Sequence, residues 1–303
     1  MRFVVLVVLA ACGRVGFDPV GDPVGDAAAP PAWRVEPSNT TSALNTIASA
    51  GSDDLFAVGD RGVIIRRVDG VWTPLDTGTA AMLWSIWFDA PDDGWAVGDG
   101  ATSLHWNGGV WTGVATGATS DFYDVTPISP TDVWIVGAGG TLERFDGTTW
   151  TAGGAGTNRD LDGVWGTAAN DIWICGEAGT MLHWDGSTLS ATTSSATNEL
   201  EAVQGPSAAD GWAVGNAGTI VHYDGTAWTT SASGTTIPLS DVYAIDSTDA
   251  WVVGSAGTML GYDGSTWASI DGLTGEDING VYAVSATDVY AVGANGLVLH
   301  YSP

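Results

Sequence analysis

Short runs of alternating apolar and polar residues, each closed by Gly, Asn or Asp, recur along the chain with a fixed period of 39 residues. The clearest copy runs from Asp210 through Trp212, Gly215, Gly218, His222, Asp224 and Gly225 to Trp228. The glycine that closes its first run has counterparts at Gly59, Gly98, Gly137, Gly176, Gly254 and Gly293, which makes seven units in strict register. Each unit predicts four short strands, A to D. Strand A centres on Ile47, Ile86, Val125, Val164, Val203, Val242 and Val281, β-branched in every copy. Strand B carries Phe56, Trp95, Trp134, Trp173, Trp212, Trp251 and Tyr290 and ends in a Gly-x-x-Gly turn. A two-residue loop there, with glycines supplying positive φ, would set Trp134 opposite Glu143 and Asp132 opposite Phe145, and would give each blade one aromatic and one aliphatic face. Strand C runs to an aromatic residue followed by Asn-Gly or Asp-Gly, as at Asp224-Gly225, a strong hairpin signal, and strand D begins near a Trp such as Trp228.

The last unit stops at Pro303 without a strand D, while Trp33 lies 39 residues before Trp72. The segment Trp33-Arg34-Val35 is therefore expected to complete the last unit and close the ring, removing its free sheet edges. The expected fold is all-β, a seven-bladed β-propeller of four antiparallel strands per blade over residues 32–303.

Residues 1–11 carry one Arg and then an apolar run ending in small residues, too short to span a bilayer as a helix, and are expected to be a secretory signal peptide. The ending Leu9-Ala10-Ala11-Cys12 resembles the bacterial lipoprotein signal, which implies lipidation at Cys12 and membrane attachment through the lipid. In that family Gly13 after the Cys implies delivery to the outer membrane of a bacterial cell envelope. Residues 12–31, rich in Gly, Pro, Asp and Ala, are expected to form a flexible tether.

Charge narrows the partners. The chain holds 35 acidic residues against 8 basic ones, all Arg, for a net charge of −27, a field that repels nucleic acid and anionic headgroups and favours cations or basic partners. The only cysteine besides Cys12 is Cys175, expected as a buried apolar filler.

The blade pattern Trp-Ala-Val-Gly-x-x-Gly-Thr-Ile-x-His-Tyr-Asp-Gly-x-x-Trp resembles that of bacterial extracytoplasmic propellers, themselves distantly similar to the photosystem assembly factor propellers and to Asp-box repeats. The resemblance covers all seven units and implies the fold. Asp and Gly are adjacent here, unlike in the Asp-box, and the basic binding surface of the assembly factors has no counterpart among eight Arg.

Candidate chemistry concentrates where the repeats disagree. The Asp that ends each A to B turn (Asp54, Asp93, Asp132, Asp171, Asp210, Asp249, Asp288) is expected to bond turn backbone. His105, His183, His222 and His300 share one position on strand C of separate blades, too far apart to converge on a metal or to serve a nucleophilic triad. At the start of strand A, Asp121, Asp160, Glu199 and Asp277 share one position, with Asp162 and Glu201 two residues on and Asp124 and Asp241 nearby. They are expected to form an acidic rim at one mouth of the channel, with Trp84, Trp87 and Trp165 of strand A available to a ligand. Asn158-x-Asp160-x-Asp162-Gly163 matches the start of a calcium loop but has Ala169 at its twelfth position, so Glu199 or Glu201 would have to complete a calcium site. The expected function is a lipid-anchored, non-enzymatic propeller binding a protein or glycan ligand at this mouth and no nucleic acid. The alternatives are a carbohydrate-active enzyme using two rim carboxylates and a purely structural surface protein.

Overall fold

The computed structural model describes residues 32–51, 53–270 and 273–303. Cys12, the signal segment 1–11 and the segment 12–31 lie outside the described residues. Seven four-stranded antiparallel sheets form the blades of a β-propeller. In blade 1 the strands are A (Leu44–Gly51), B (Asp54–Gly59), C (Ile64–Val68) and D (Val71–Leu75). Blade 7 holds Ile278–Ser285, Asp288–Gly293 and Val298–Ser302, and its fourth strand is Ala32–Val35, paired as Trp33 with Tyr301 and Val35 with Leu299. The ring closes as the 39-residue register requires.

The core lies between blades. Trp95 and Val97 of blade 2 pack on Phe122, Val125, Val133 and Ile135 of blade 3, while Trp134, Val136 and Leu142 of blade 3 pack on Leu161, Val164, Ile172 and Ile174 of blade 4. An aromatic face thus meets an aliphatic one at each seam. At the closing seam, Leu44, Ile47 and Ala57 of blade 1 meet Tyr290, Val292 and Val298 of blade 7. Cys175 is fully buried, its thiol donating to the Leu200 carbonyl.

The turn between strands B and C departs from the expected geometry. Three residues form it, as a single 3-10 turn, so Trp134 pairs with Arg144 and Ile135 with Glu143, one residue out of the expected register. The second glycine has positive φ, +70° at Gly218, but the first is extended, with φ 178° at Gly215. Close approach explains the first. The amide after it donates to the carbonyl of the residue that precedes strand A of its own blade, as in Asn216 N to Glu199 O at 3.0 Å, and the equivalent bond recurs in all seven units. A Cβ on Gly215 would lie 2.1 Å from that oxygen. Gly215→Ala is therefore expected to cost about 3 kcal/mol or more, because the clash is with backbone that cannot rotate away. Urea unfolding of the variant checks this, with Gly234→Ala as a control that meets no neighbour at its Cβ but has positive φ.

The Asp at the start of strand B has a different role from the one expected. In six blades it accepts from the strand C side chain twelve residues later, as in Arg66 to Asp54 (2.6 Å from both Nε and Nη2) and Arg144 to Asp132. His105, His183, His222 and His300 pair with Asp93, Asp171, Asp210 and Asp288 at 2.6–2.8 Å. Each base also lies against the strand B aromatic of its own blade, with His222 stacked 4.1 Å from Trp212 and the Arg144 guanidinium 4.7 Å from the Trp134 ring. The four histidines are thus packing residues on separate blades.

Candidate functional site

The seven A strands line the axis, and a bulge early in each turns two consecutive residues toward the channel. Three positions of the repeat form the mouth, the neck one residue on and beneath it, and a plug two residues further along. The mouth position reads Asn45, Trp84, Tyr123, Asp162, Glu201, Ser240 and Asn279, and all seven residues line a cavity of about 590 Å³, within the range of small-ligand sites, about 300–1,000 Å³. Asp124, Asp160, Glu199 and Asp241 line it as well. The expected acidic mouth is therefore assembled, with Asp160, Asp162, Glu199 and Glu201 on one wall, contributed by blades 4 and 5.

The acids divide by what holds them. Asp121, Asp160 and Asp277 each accept from the B to C turn of the preceding blade, through the amides of Gly100, Gly139 and Ala256 at 2.7 Å, so they stitch blades together. Asp121 and Asp277 do not line the cavity. Asp124 and Asp241 are also stitches, at the neck. Asp124 accepts from Ser85 Oγ and from the Val125 and Val164 amides, and Asp241 from the Val242 and Val281 amides. The next blade has Gly163 or Gly280 at the same position, and these let its strand A approach that of the blade after it, since a Cβ would lie 3.1 Å from Ala202 Cα or 2.9 Å from Thr46 Cα. Burial pushes Asp124 up to about 6 and Asp241 up to about 7, each partly offset by those hydrogen bonds. Glu199 accepts from Asn216 Nδ2 at 2.6 Å.

Asp162 and Glu201 are different. They occupy the same position on adjacent blades, and neither accepts a hydrogen bond from a donor among the described residues. Oδ2 of Asp162 is buried with no partner. Burial, and then repulsion from Glu201, Glu199 and Asp160, pushes Asp162 up to about 8, while burial and Glu199 push Glu201 up to about 7.

Beside the acidic wall stands an aromatic one. Trp84 is 37% exposed, is held by its indole N–H donating to Asp99 at 2.7 Å, and meets Tyr123 edge to face. Of the three strand A tryptophans expected to meet a ligand, only Trp84 lines the mouth. Trp165 is 6% exposed in the core between blades 4 and 5, and Trp87 is partly buried, because both sit deeper, beyond the neck, at the plug position with Tyr243 and Tyr282. A void of about 70 Å³ between neck and plug is lined by Trp87, Trp165, Gln204 and Tyr243. Of the calcium ligands expected at this rim, Asp160, Asp162, Glu199 and Glu201 line the mouth together and Asn158 does not. Asn158 is exposed and outside the cavity lining, and among the described residues no group of three or more His, Cys, Asp or Glu side chains is placed to hold a metal ion.

Sequence reasoning missed the neutral wall of Asn45, Ser240 and Asn279. Reading the Asp162 position across all seven units would have found it. The twelve-residue spacing between each Asp and its Arg or His was likewise legible and signalled a cross-strand pair.

No family model matches the sequence, and neither does any curated protein. Among solved structures, the chain is similar to YCF48 from Cyanidioschyzon merolae, with a TM-score of 0.73 and 18% identity, covering 90% of this chain and 99% of that one. It is also similar to YCF48 bound to D1 peptide, with a TM-score of 0.74 and 17% identity, covering 89% of this chain and 97% of that one. At that identity the likeness establishes a seven-bladed propeller fold.

Proposed function

We propose that the protein is a non-enzymatic scaffold, held at a bacterial envelope by a lipid on Cys12, that takes a basic segment of a partner protein into the channel mouth. The observation that carries this reading is the Asp162 and Glu201 pair, two carboxylates with no donor among the described residues in a cavity open to solvent. Crowding raises their proton affinity, so an inserted Lys or Arg relieves repulsion that the fold leaves standing, and Trp84 offers the same cation an aromatic face. A protein ligand is favoured over a glycan because a sugar would not neutralise the pair. The solved YCF48 complex, a propeller of the same fold with a peptide, agrees with this. Strand D of blade 7 begins at Ala32, paired with Ser302 at the end of strand C away from the B to C turns, so the chain enters the ring on the face opposite the mouth.

Calorimetric titration of the full chain with a short Arg- and Lys-bearing peptide tests the reading. Binding is expected to tighten from pH 6 to pH 9 with proton release at the lower pH, to weaken with salt, and to fall at least tenfold in the Asp162→Asn/Glu201→Gln double variant. Undiminished binding by that variant would overturn it.

A further inference from the structure

Blade 6 breaks the outer girdle. In the other six blades a strand C base pairs with the Asp that starts strand B and covers the strand B aromatic. Blade 6 keeps the acid, Asp249, and the aromatic, Trp251, but has Gly261 where the base belongs, directly across the ladder from Trp251. The place stays unfilled. A Cβ on Gly261 would meet only Ile270 Cδ1, at 3.5 Å, an ordinary contact. Trp251 is 8% exposed, whereas the tryptophans at the same position in blades 2 to 5 are 2–3% exposed. Among the described residues Asp249 has no cationic partner, its pKa is raised by burial and by Asp246, and the Trp251 indole N–H beside it is buried with no hydrogen-bond partner.

The occupied blades show what fits. Arg66 and Arg144 grip Asp54 and Asp132 through two nitrogens each, with the guanidinium 5.1 and 4.7 Å from the aromatic ring centre. Their side chains are 29% and 36% exposed, so the berth opens to solvent and a guest can reach it from outside. A guanidinium satisfies both halves, since it is planar, always charged, and pairs with a carboxylate by two bonds while stacking on a ring.

We infer that the outer edge of blade 6 is a docking point for an arginine side chain of a partner protein, received by Asp249 and Trp251 in the place left by Gly261. The chain itself is poor in cations, with no Lys and 8 Arg, and of the described Arg, three are already paired with carboxylates in blades 1 and 3. The berth starts from the opposite end of strand B to the channel mouth, so this contact is independent of the mouth.

The test follows the indole N–H resonance of Trp251 in the full chain, assigned with Trp251→Phe, while N-methylguanidinium is titrated. A saturable shift in the low millimolar range is expected, lost in Asp249→Asn and in Gly261→Arg, where the engineered side chain fills the berth, and retained in Asp162→Asn/Glu201→Gln. Gly261→Arg is also expected to raise the melting temperature, because it supplies the pair present in the other blades. A shift that persists in Gly261→Arg, or no shift in the wild type, would overturn the assignment. A response seen only after Arg14→Ala would do so too, by making the chain's own N-terminal segment the occupant.

Discussion

Glu36→Ala is expected to lower the stability of the ring by about 3–5 kcal/mol, the largest single effect outside the core, because it leaves a buried arginine with only the exposed Asp53, at 4.0 Å, as counterion. Glu36 follows the strand that completes blade 7 and sits at the closing seam. Its carboxylate accepts from Arg67 Nε and Nη2 (3.1 and 3.2 Å) and Trp72 Nε1 (2.8 Å) of blade 1, and faces His300 Nδ1 (2.8 Å) of blade 7. One residue thus ties both ends of the chain across the seam. Arg67 is only 8% exposed, and its guanidinium also lies 5.1 Å from the Tyr290 ring of blade 7. Burial by itself would raise Glu36, yet the hydrogen bonds from His300, Arg67 and Trp72 outweigh it and hold the carboxyl at about 2, below its ordinary 4.5. A lowered folded-state pKa contributes stability that is present above the unfolded value and lost as pH falls through the folded one. The clasp is therefore complete above pH 4.5 and released between pH 4.5 and 2. Glu36→Gln should flatten the acid limb of the stability curve in that window, which chemical denaturation at a series of pH values measures. An acid limb identical to the wild type would mean that the seam does not depend on this carboxylate.

The mouth pair has the opposite sign. Asp162→Asn/Glu201→Gln is expected to raise stability by about 2–3 kcal/mol at pH 9 and to leave it unchanged near pH 3, allowing for solvent screening at an open mouth against about 1.4 kcal/mol per pKa unit. The sign follows from proton counting. Asp162 ionises at 3.8 in the unfolded chain and at about 8 in the fold, so between those values the folded state holds more protons and stability falls as pH rises. Glu201 behaves alike between 4.5 and about 7. Neutral amides remove that penalty, so the variant binds a basic peptide less well while folding better, a separation of binding from stability that a purely structural pair would not show. Thermal melts at pH 3, 7 and 9 decide it, and a variant less stable than the wild type at pH 9 would show that the two carboxylates hold the ring together.

The number of blades, the strand order and the closure by Trp33 were legible in the chain because they depend on period and register, which are properties of the sequence alone. A 39-residue repeat with four strand-length runs per unit leaves one way to bury both sheet faces, stacking neighbour on neighbour until the ring closes. The position of the mouth was legible for the same reason, since the units differ at the axis, where strand A lies.

What each acid does there was decided only by the folded ring. Asp121, Asp160 and Asp277 read alike with Asp162 and Glu201 in the sequence, yet backbone donors from the neighbouring blade reach the first three and not the other two. Those donors are brought near by tertiary packing across a seam, which no spacing within one repeat records. The strand A tryptophans were separated in the same way. A bulge sends Trp84 to the mouth and places Trp87 and Trp165 deeper, a difference of a few residues along one strand that period alone leaves open. The register of the B to C hairpin was lost to one residue of turn length, and the first glycine of each turn was credited to φ when it is a neighbouring carbonyl that excludes a Cβ. Local pattern determined the blades, and contacts between blades determined which charges the fold satisfies and which it leaves for a partner.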